Sequence, residues 1–312
     1  MSFFDKATAL LDIPAQRINI SATDTIKGQN FTVPVIFYKA AAGNEKRPTL
    51  VVSSGYDGSQ EDLYFAVGTR ALERGWNFLS YEGPGQPTVR RYQDLGFIPN
   101  WWDVVTPVVD YLETRDDVDT KKLALEGVSF GGILAPRAAT REKRFVAVLA
   151  IDGLYNIETS LLAQFPTALV DIFKAGNKTE FDTFMAAAAS NSSYPSSFRW
   201  VVDQGRWSFN TNSTFDWLTQ LGQVNLTKDL LDEVQVPVFV GEGQDDTNFY
   251  GQGKVVADWL GDRAYYHLFM NDIGAGEHSQ VGAEAELAHV SFDWLGGIFD
   301  GLAKTDNGTI NL

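Results

Sequence analysis

Short apolar runs alternate with longer helical patterns along most of this chain. RINISA (17–22) and FTVPVIFYKA (31–40) place apolar residues at alternate positions, the period of a half-buried strand, and predict an antiparallel pair. TLVVSSG (49–55), NFLSYEG (77–83), LALEGVS (123–129), VAVLAIDG (146–153), VPVFVGEG (236–243) and YYHLFMN (265–271) read as further strands. Several are apolar on both faces, as the centre of a parallel sheet requires. Between them the helical period predicts helices over 61–74, 101–115, 130–141, 252–260 and 282–303. The repeated strand–helix order predicts an α/β fold, a mostly parallel doubly wound sheet with helices on both faces.

From 154 to 234 the alternation stops. This stretch is rich in aromatics, Asn, Ser and Thr, with weak helical patterning in LLAQF, FDTFMAAAA and FDWLTQL. An insertion between two sheet strands predicts a cap over a pocket. The chain then divides into a core, 1–153 and 235–312, and a cap, 154–234; a separate small domain is the alternative.

Composition narrows the function classes. The 312 residues can bury a sizeable core, and the net charge of −15 argues against a nucleic-acid partner and against anionic membranes. With no cysteine, disulfides, zinc–thiolate sites and thiol catalysis are excluded. No apolar run approaches the length of a membrane span, and the start, MSFFDKATALLDIPAQ, lacks the basic and apolar regions of a signal peptide. Asn19, Asn30, Asn177, Asn191, Asn212, Asn225 and Asn307 each open an Asn-X-Ser/Thr sequon. Seven is well above the roughly two expected by chance. That excess leaves the compartment open between cytoplasmic and secreted, the latter as a glycoprotein.

The chemistry centres on EGVSFGGILAPRAA (126–139), where Ser129 lies between Gly127 and Gly131. A buried strand precedes it and a helical run follows, the context of a nucleophile elbow rather than of a flexible loop. A serine nucleophile needs a base, and there are three histidines. His267 falls inside a predicted strand and His289 inside a helical run. His278 lies in the Gly-rich NDIGAGEHSQVGAEAE, a loop after the last strand, and is the favoured base. The carboxylate that orients it is sought in GEGQDDTNFYGQ; Asp246 is preferred, with Asp245 and then Asp152 as alternatives. The order Ser129…Asp246…His278 is that of α/β-hydrolases. Backbone N–H groups of Phe130 and Tyr56 are the expected oxyanion donors. Asp57 and Glu61, in the loop GYDGSQED, are candidate accessory or substrate-binding acids, though Glu61 equally suits the first turn of a helix. This chemistry calls for no cofactor and no metal.

SSGYDGSQEDLYF (53–65), ALERGWNFLSYEGPGQP (71–87), WWDVVTPVVDYLETRDDVD (101–119), ALEGVSFGGILAPRAA (124–139), DDTNFYGQ (245–252) and GAGEHSQVGAEAEL (274–287) carry a more specific signal. Together they resemble a group of bacterial and fungal α/β-hydrolases, that of 2,6-dihydroxypseudooxynicotine hydrolase and the fungal enzymes that shorten polyketide pigments. EGPGQ followed by the WxxVVxPVVDYL helix is the most specific part. The resemblance implies Ser129 as nucleophile, Asp246 as acid, His278 as base and Asp57 as an extra active-site acid. It also implies a small-molecule substrate and a homodimer. Two departures stand out. The family's long helical segment before the first strand is shortened to residues 1–16, and Pro87 replaces a glycine usual after EGPGQ.

The expected function is a serine hydrolase cleaving an ester, or a C–C bond beside a ketone, through an acyl-enzyme. Phe165, Phe173, Phe184, Trp200, Trp207 and Trp217 in the inserted stretch suit an apolar, aromatic or polyketide-like substrate. An acyltransferase or cyclase with the same triad is the alternative; a peptidase or a non-catalytic binding protein stands further off.

Overall fold

The structure, a computed structural model, describes residues 3–302. Eight strands form one sheet: β1 (Gln16–Asp24), β2 (Gln29–Tyr38), β3 (Arg47–Ser53), β4 (Asn77–Tyr81), β5 (Val118–Val128), β6 (Ala147–Ile151), β7 (Val238–Gly243) and β8 (Ala264–Phe269). Their order is β1-β2-β4-β3-β5-β6-β7-β8. β1 pairs antiparallel with β2, and β2 antiparallel with β4; β4, β3, β5, β6, β7 and β8 run parallel. The mostly parallel, doubly wound sheet expected from the pattern is the one observed.

The central strands are buried along their length, which is why they read as unbroken apolar runs. Helices Trp102–Glu113, Gly131–Ala139 and Gln252–Leu260 bury Val105, Val108, Ile133, Leu134 and Val256 against one face. The other face is covered by the turns over Tyr64–Glu73 and by helix Glu284–Phe299, through Val67, Ala71, Phe292 and Leu295.

Two local differences from the pattern have physical reasons. The helix expected over 61–74 opens as a π-helical turn, Tyr64–Gly68, before α-helix Thr69–Glu73. There Gly68 presses against the Phe78 ring, where a Cβ would meet it at 2.7 Å. Helix Pro87–Gln93 carries no apolar stripe, burying only Val89, so its period is invisible in sequence. Between β6 and β7 lie six helices: Ile157–Ala163, Thr167–Lys174, Lys178–Ser190, Ser196–Ser208, Thr214–Leu221 and Lys228–Asp232.

Among the described residues no helix is long and apolar enough to cross a membrane. Asn19, Asn30, Asn177, Asn191 and Asn212 are exposed and Asn225 is half-buried; the sequon at Asn307 and the expected helix end at 303 lie outside the described residues.

Phe239, fully buried on β7, packs against Tyr265, Phe269 and Trp294. Phe239→Ala is expected to lower unfolding free energy by about 3–5 kcal/mol, measured by urea denaturation. A loss below about 1 kcal/mol would contradict this packing.

Candidate active site

The parallel strands all end at one edge, and five neighbouring strand ends converge there. The loop after β3 carries Tyr56 and Asp57, β5 ends before Ser129, and β6 before Asp152. The loops after β7 and β8 carry Asp246 and His278. This is where the crevice of a doubly wound sheet lies.

Ser129 stands between the end of β5 and helix Gly131–Ala139 with φ at 60°, a left-handed conformation uncommon for a non-glycine residue. Strand and helix approach so closely that a Cβ on Gly127 would lie 1.9 Å from the Gly131 carbonyl oxygen. Only glycine fits there.

His278 Nε2 lies 2.9 Å from Ser129 Oγ, and His278 Nδ1 lies 2.6 Å from Asp246 Oδ2. Asp246 is buried, and its Oδ1 accepts the Phe249 N–H at 3.2 Å. The structure therefore brings Ser129, His278 and Asp246 into one hydrogen-bonded array. The alternatives separate from it. Asp245 is exposed. His267 sits on β8 edge-on to Phe269, 4.5 Å between ring centroids. His289 faces solvent beside Asp293.

Asp152 is brought to the same imidazole in a different way. Its buried carboxylate accepts the Ser279 N–H at 2.7 Å and the Ser279 hydroxyl at 2.6 Å, while Oδ2 lies 3.7 Å from His278 Nε2. Ser279 and Gln280 both have left-handed φ, 55° and 51°, so Asp152 clamps the turn that presents His278. The pattern of residues gave no sign of this clamp, because it pairs positions 127 apart.

The charges around the imidazole set its basicity. Burial disfavours the imidazolium, but Asp152, Asp246 and Asp57 outweigh it and carry His278 up to about 9. Burial pushes the Asp152 carboxyl up, and His278 with the two Ser279 hydrogen bonds pulls it back. Asp57 lies open to solvent on one side at the cavity rim. The protein packed on its other side raises its carboxyl, opposed by the charge of His278. Asp152, Asp246 and His278 place ligand atoms within 4.8 Å of one another. Both ring nitrogens already have hydrogen-bond partners, so a metal there would displace them.

Glu61 does not reach this site. Its Oε1 accepts from Arg17 Nη2 at 2.6 Å in an ion pair that also includes Asp5, and it is absent from the cavity wall. The accessory role considered for Glu61 gives way to this pairing with β1.

A cavity of about 430 Å³ opens on Ser129 and His278. Phe165, Trp200 and Trp217 line it, with Tyr56, Phe130, Phe198 and Phe249. Phe173 instead packs on Phe181 and Phe215, Phe184 is exposed, and Trp207 lies under Arg90. Gln164 Nε2 and Asn248 Oδ1, 3.3 Å apart, join the inserted segment to the β7 loop at the wall. The N–H groups of Tyr56 and Phe130 take part in no hydrogen bond among the described residues. Gly55 holds these two segments together, since a Cβ there would meet Phe130 N at 2.5 Å and Ser129 Cβ at 2.9 Å.

The chain is similar in sequence and in fold to known hydrolases. Residues 103–198 match the prolyl oligopeptidase family, Peptidase_S9. The 20-hydroxy-prefusarin hydrolase of Gibberella moniliformis is 28% identical over 313 residues, covering 95% of this chain and 72% of its own length. An α/β-hydrolase of Xenoacremonium sinensis is 27% identical over 316 residues, covering 94% and 72%. The crystal structure of the 2,6-dihydroxy-pseudo-oxynicotine hydrolase superposes with a TM-score of 0.73 at 18% identity, covering 98% of this chain and 74% of that one.

The imidazoles of His278 and His267 should titrate apart. By NMR, His278 is expected to have a midpoint near 9, and His267, lowered by burial, a midpoint below the ordinary 6.5. Asp152→Asn removes a charge that favours the imidazolium, so it should move the His278 midpoint down. An unmoved midpoint would show that Asp152 does not act on the ring.

Proposed function

We propose that this α/β-hydrolase is a serine hydrolase that cleaves an ester, or a C–C bond beside a ketone, in an apolar or aromatic, polyketide-like small molecule. One observation carries the reading: Ser129, His278 and Asp246 are linked by hydrogen bonds of 2.9 and 2.6 Å at the floor of an aromatic-lined cavity. The inserted helices act as its cap.

In the proposed reaction His278 acts from its neutral form, which a midpoint near 9 makes the major form only at alkaline pH. Ser129 Oγ attacks the substrate carbonyl as its proton passes to His278 Nε2. Asp246 holds Nδ1–H and stabilises the imidazolium. The N–H groups of Tyr56 and Phe130, free of acceptors among the described residues, receive the oxyanion. The imidazolium returns its proton to the leaving group, leaving an acyl group on Ser129. Water, deprotonated by the same nitrogen, releases the acid and restores the serine. For a ketone substrate the leaving group is a carbanion, and the proton comes from His278 or from a protonated Asp57.

Charge and wall chemistry support the substrate class. Among the described residues the cavity wall contains no Lys or Arg, while Asp57 lies on it and Asp152 and Asp246 lie against His278. A neutral substrate enters this field without penalty, and the carboxylate product is repelled from it. Two comparison proteins are named for hydrolysing small organic molecules, 20-hydroxy-prefusarin and 2,6-dihydroxy-pseudo-oxynicotine, in line with a pocket of this size.

A fluorophosphonate probe is expected to label the wild type, and Ser129→Ala to abolish labelling. Retained labelling would move the nucleophile elsewhere. Across aryl esters, lactones and β-diketones, Asp246→Asn should lower kcat on the order of 10³-fold or more, since it leaves the imidazole misoriented. Isotopic oxygen from water should appear in the acid product; its absence would turn the reading towards acyl transfer or cyclisation.

A further inference from the structure

The EGPGQ stretch, residues 82–86, marks the resemblance to other hydrolases most specifically, yet none of its side chains lines the cavity. Its two polar ends are completely buried. Glu82 Oε1 accepts the Gln60 N–H at 2.9 Å, and Oε2 accepts the Thr88 N–H at 2.5 Å. Gln86 faces the same loop further upstream. Its Nε2 donates to the Ser54 carbonyl at 2.7 Å and to the Gly55 carbonyl at 3.3 Å, and lies 2.9 Å from Ser53 Oγ. The Gly83 N–H donates to Gln86 Oε1 at 2.8 Å, which fixes the orientation of the amide. The next carbonyl, that of Tyr56, accepts from Gln204 Nε2 at 3.0 Å, and the Tyr56 hydroxyl donates to the Val201 carbonyl at 3.0 Å. Gln204 and Val201 both lie on helix Ser196–Ser208.

Three successive carbonyls, of Ser54, Gly55 and Tyr56, are thus held by two glutamine amides. A trans peptide is planar, with its N–H directed opposite to its C=O. Fixing the Gly55 carbonyl therefore fixes the direction of the Tyr56 N–H, which has no acceptor among the described residues. We propose that Gln86 is the positioning residue of the oxyanion site, that it aims the Tyr56 N–H at the pocket beside Ser129, and that Gln204 braces the same strand of backbone from the inserted helices. Glu82 anchors the far end of the loop at Gln60. Gly85, at φ 91°, allows the turn to lie against Phe97, whose ring a Cβ would meet at 2.4 Å. This inference rests on the serine-hydrolase reading, since an oxyanion site serves only a carbonyl under attack.

The test uses p-nitrophenyl butyrate as substrate and an aryl trifluoromethyl ketone as transition-state mimic. Gln86→Met keeps the length of the side chain and removes its hydrogen bonds. It is expected to lower kcat by about 10–100-fold with KM changed less than about threefold, and to weaken the trifluoromethyl ketone by the same factor as kcat/KM. A folded Gln86→Met protein with kcat within about twofold of the wild type would overturn the inference. Where Gln86→Met does not fold, Gln204→Leu decides. It is expected to lower kcat severalfold at unchanged Tm, and an unchanged kcat overturns the inference. Ser129→Ala separates the two levels of argument. Ester turnover surviving in that variant overturns the serine-hydrolase reading and this inference together. Turnover lost there, beside an unaltered Gln86→Met, overturns this inference alone.

Discussion

The turn at Ser129 is the constraint on which the site depends. A left-handed backbone at a non-glycine residue costs on the order of 1–3 kcal/mol and persists only where its surroundings over-determine it. Here the surroundings are the last residues of β5 and the first turn of helix Gly131–Ala139, locked together by the contact between Gly127 and the Gly131 carbonyl. Because β5 lies in the middle of the sheet, the strand ends on either side fall around the serine. The loop after β3 arrives on one flank, and those after β6, β7 and β8 arrive on the other. The chemistry of the site is a consequence of this arrangement in a parallel sheet.

Carboxylates then surround a single imidazole. Asp246 holds Nδ1, Asp152 approaches from the Nε2 side while clamping Ser279, and Asp57 adds charge from the rim. The result is a ring more basic than a free histidine. Such a ring takes up a proton readily, and its protonated form is well matched to the negative charge around it. The cost of burying these charges is shared between hydrogen bonds to Ser279 and the imidazole itself.

How much of this was legible in the sequence follows from the range of the interactions involved. Ser129 was legible because glycines at 127 and 131 and the flanking strand and helix patterns are local signals. His278 was favoured by its position in a Gly-rich loop after a strand, and the structure places it against Ser129. Asp246 could be ranked above Asp245 but not separated from it, because adjacent residues differ in direction and only the folded loop shows which faces inward. Glu61 illustrates the limit. Its partner Arg17 comes from β1, and the ion pair that draws it away from the cavity leaves no trace in the pattern. The same holds for Gln86, whose amide nitrogen bonds to Ser53, Ser54 and Gly55, more than thirty positions upstream in the sequence. The helices between β6 and β7 were only faintly visible, because most of their positions are half- or fully exposed and few are buried.

The bond from Tyr56 to helix Ser196–Ser208 bears on how such an enzyme can be re-engineered. The inserted segment is the obvious module to exchange when a new specificity is sought, since it supplies Phe165, Trp200 and Trp217 to the wall. It also supplies Gln204 and Val201 to the loop that carries Tyr56. Grafting a foreign segment would change the shape of the chamber and loosen its floor in one stroke. A chimera that keeps those two anchors, and varies only the faces that look into the chamber, separates selectivity from rate.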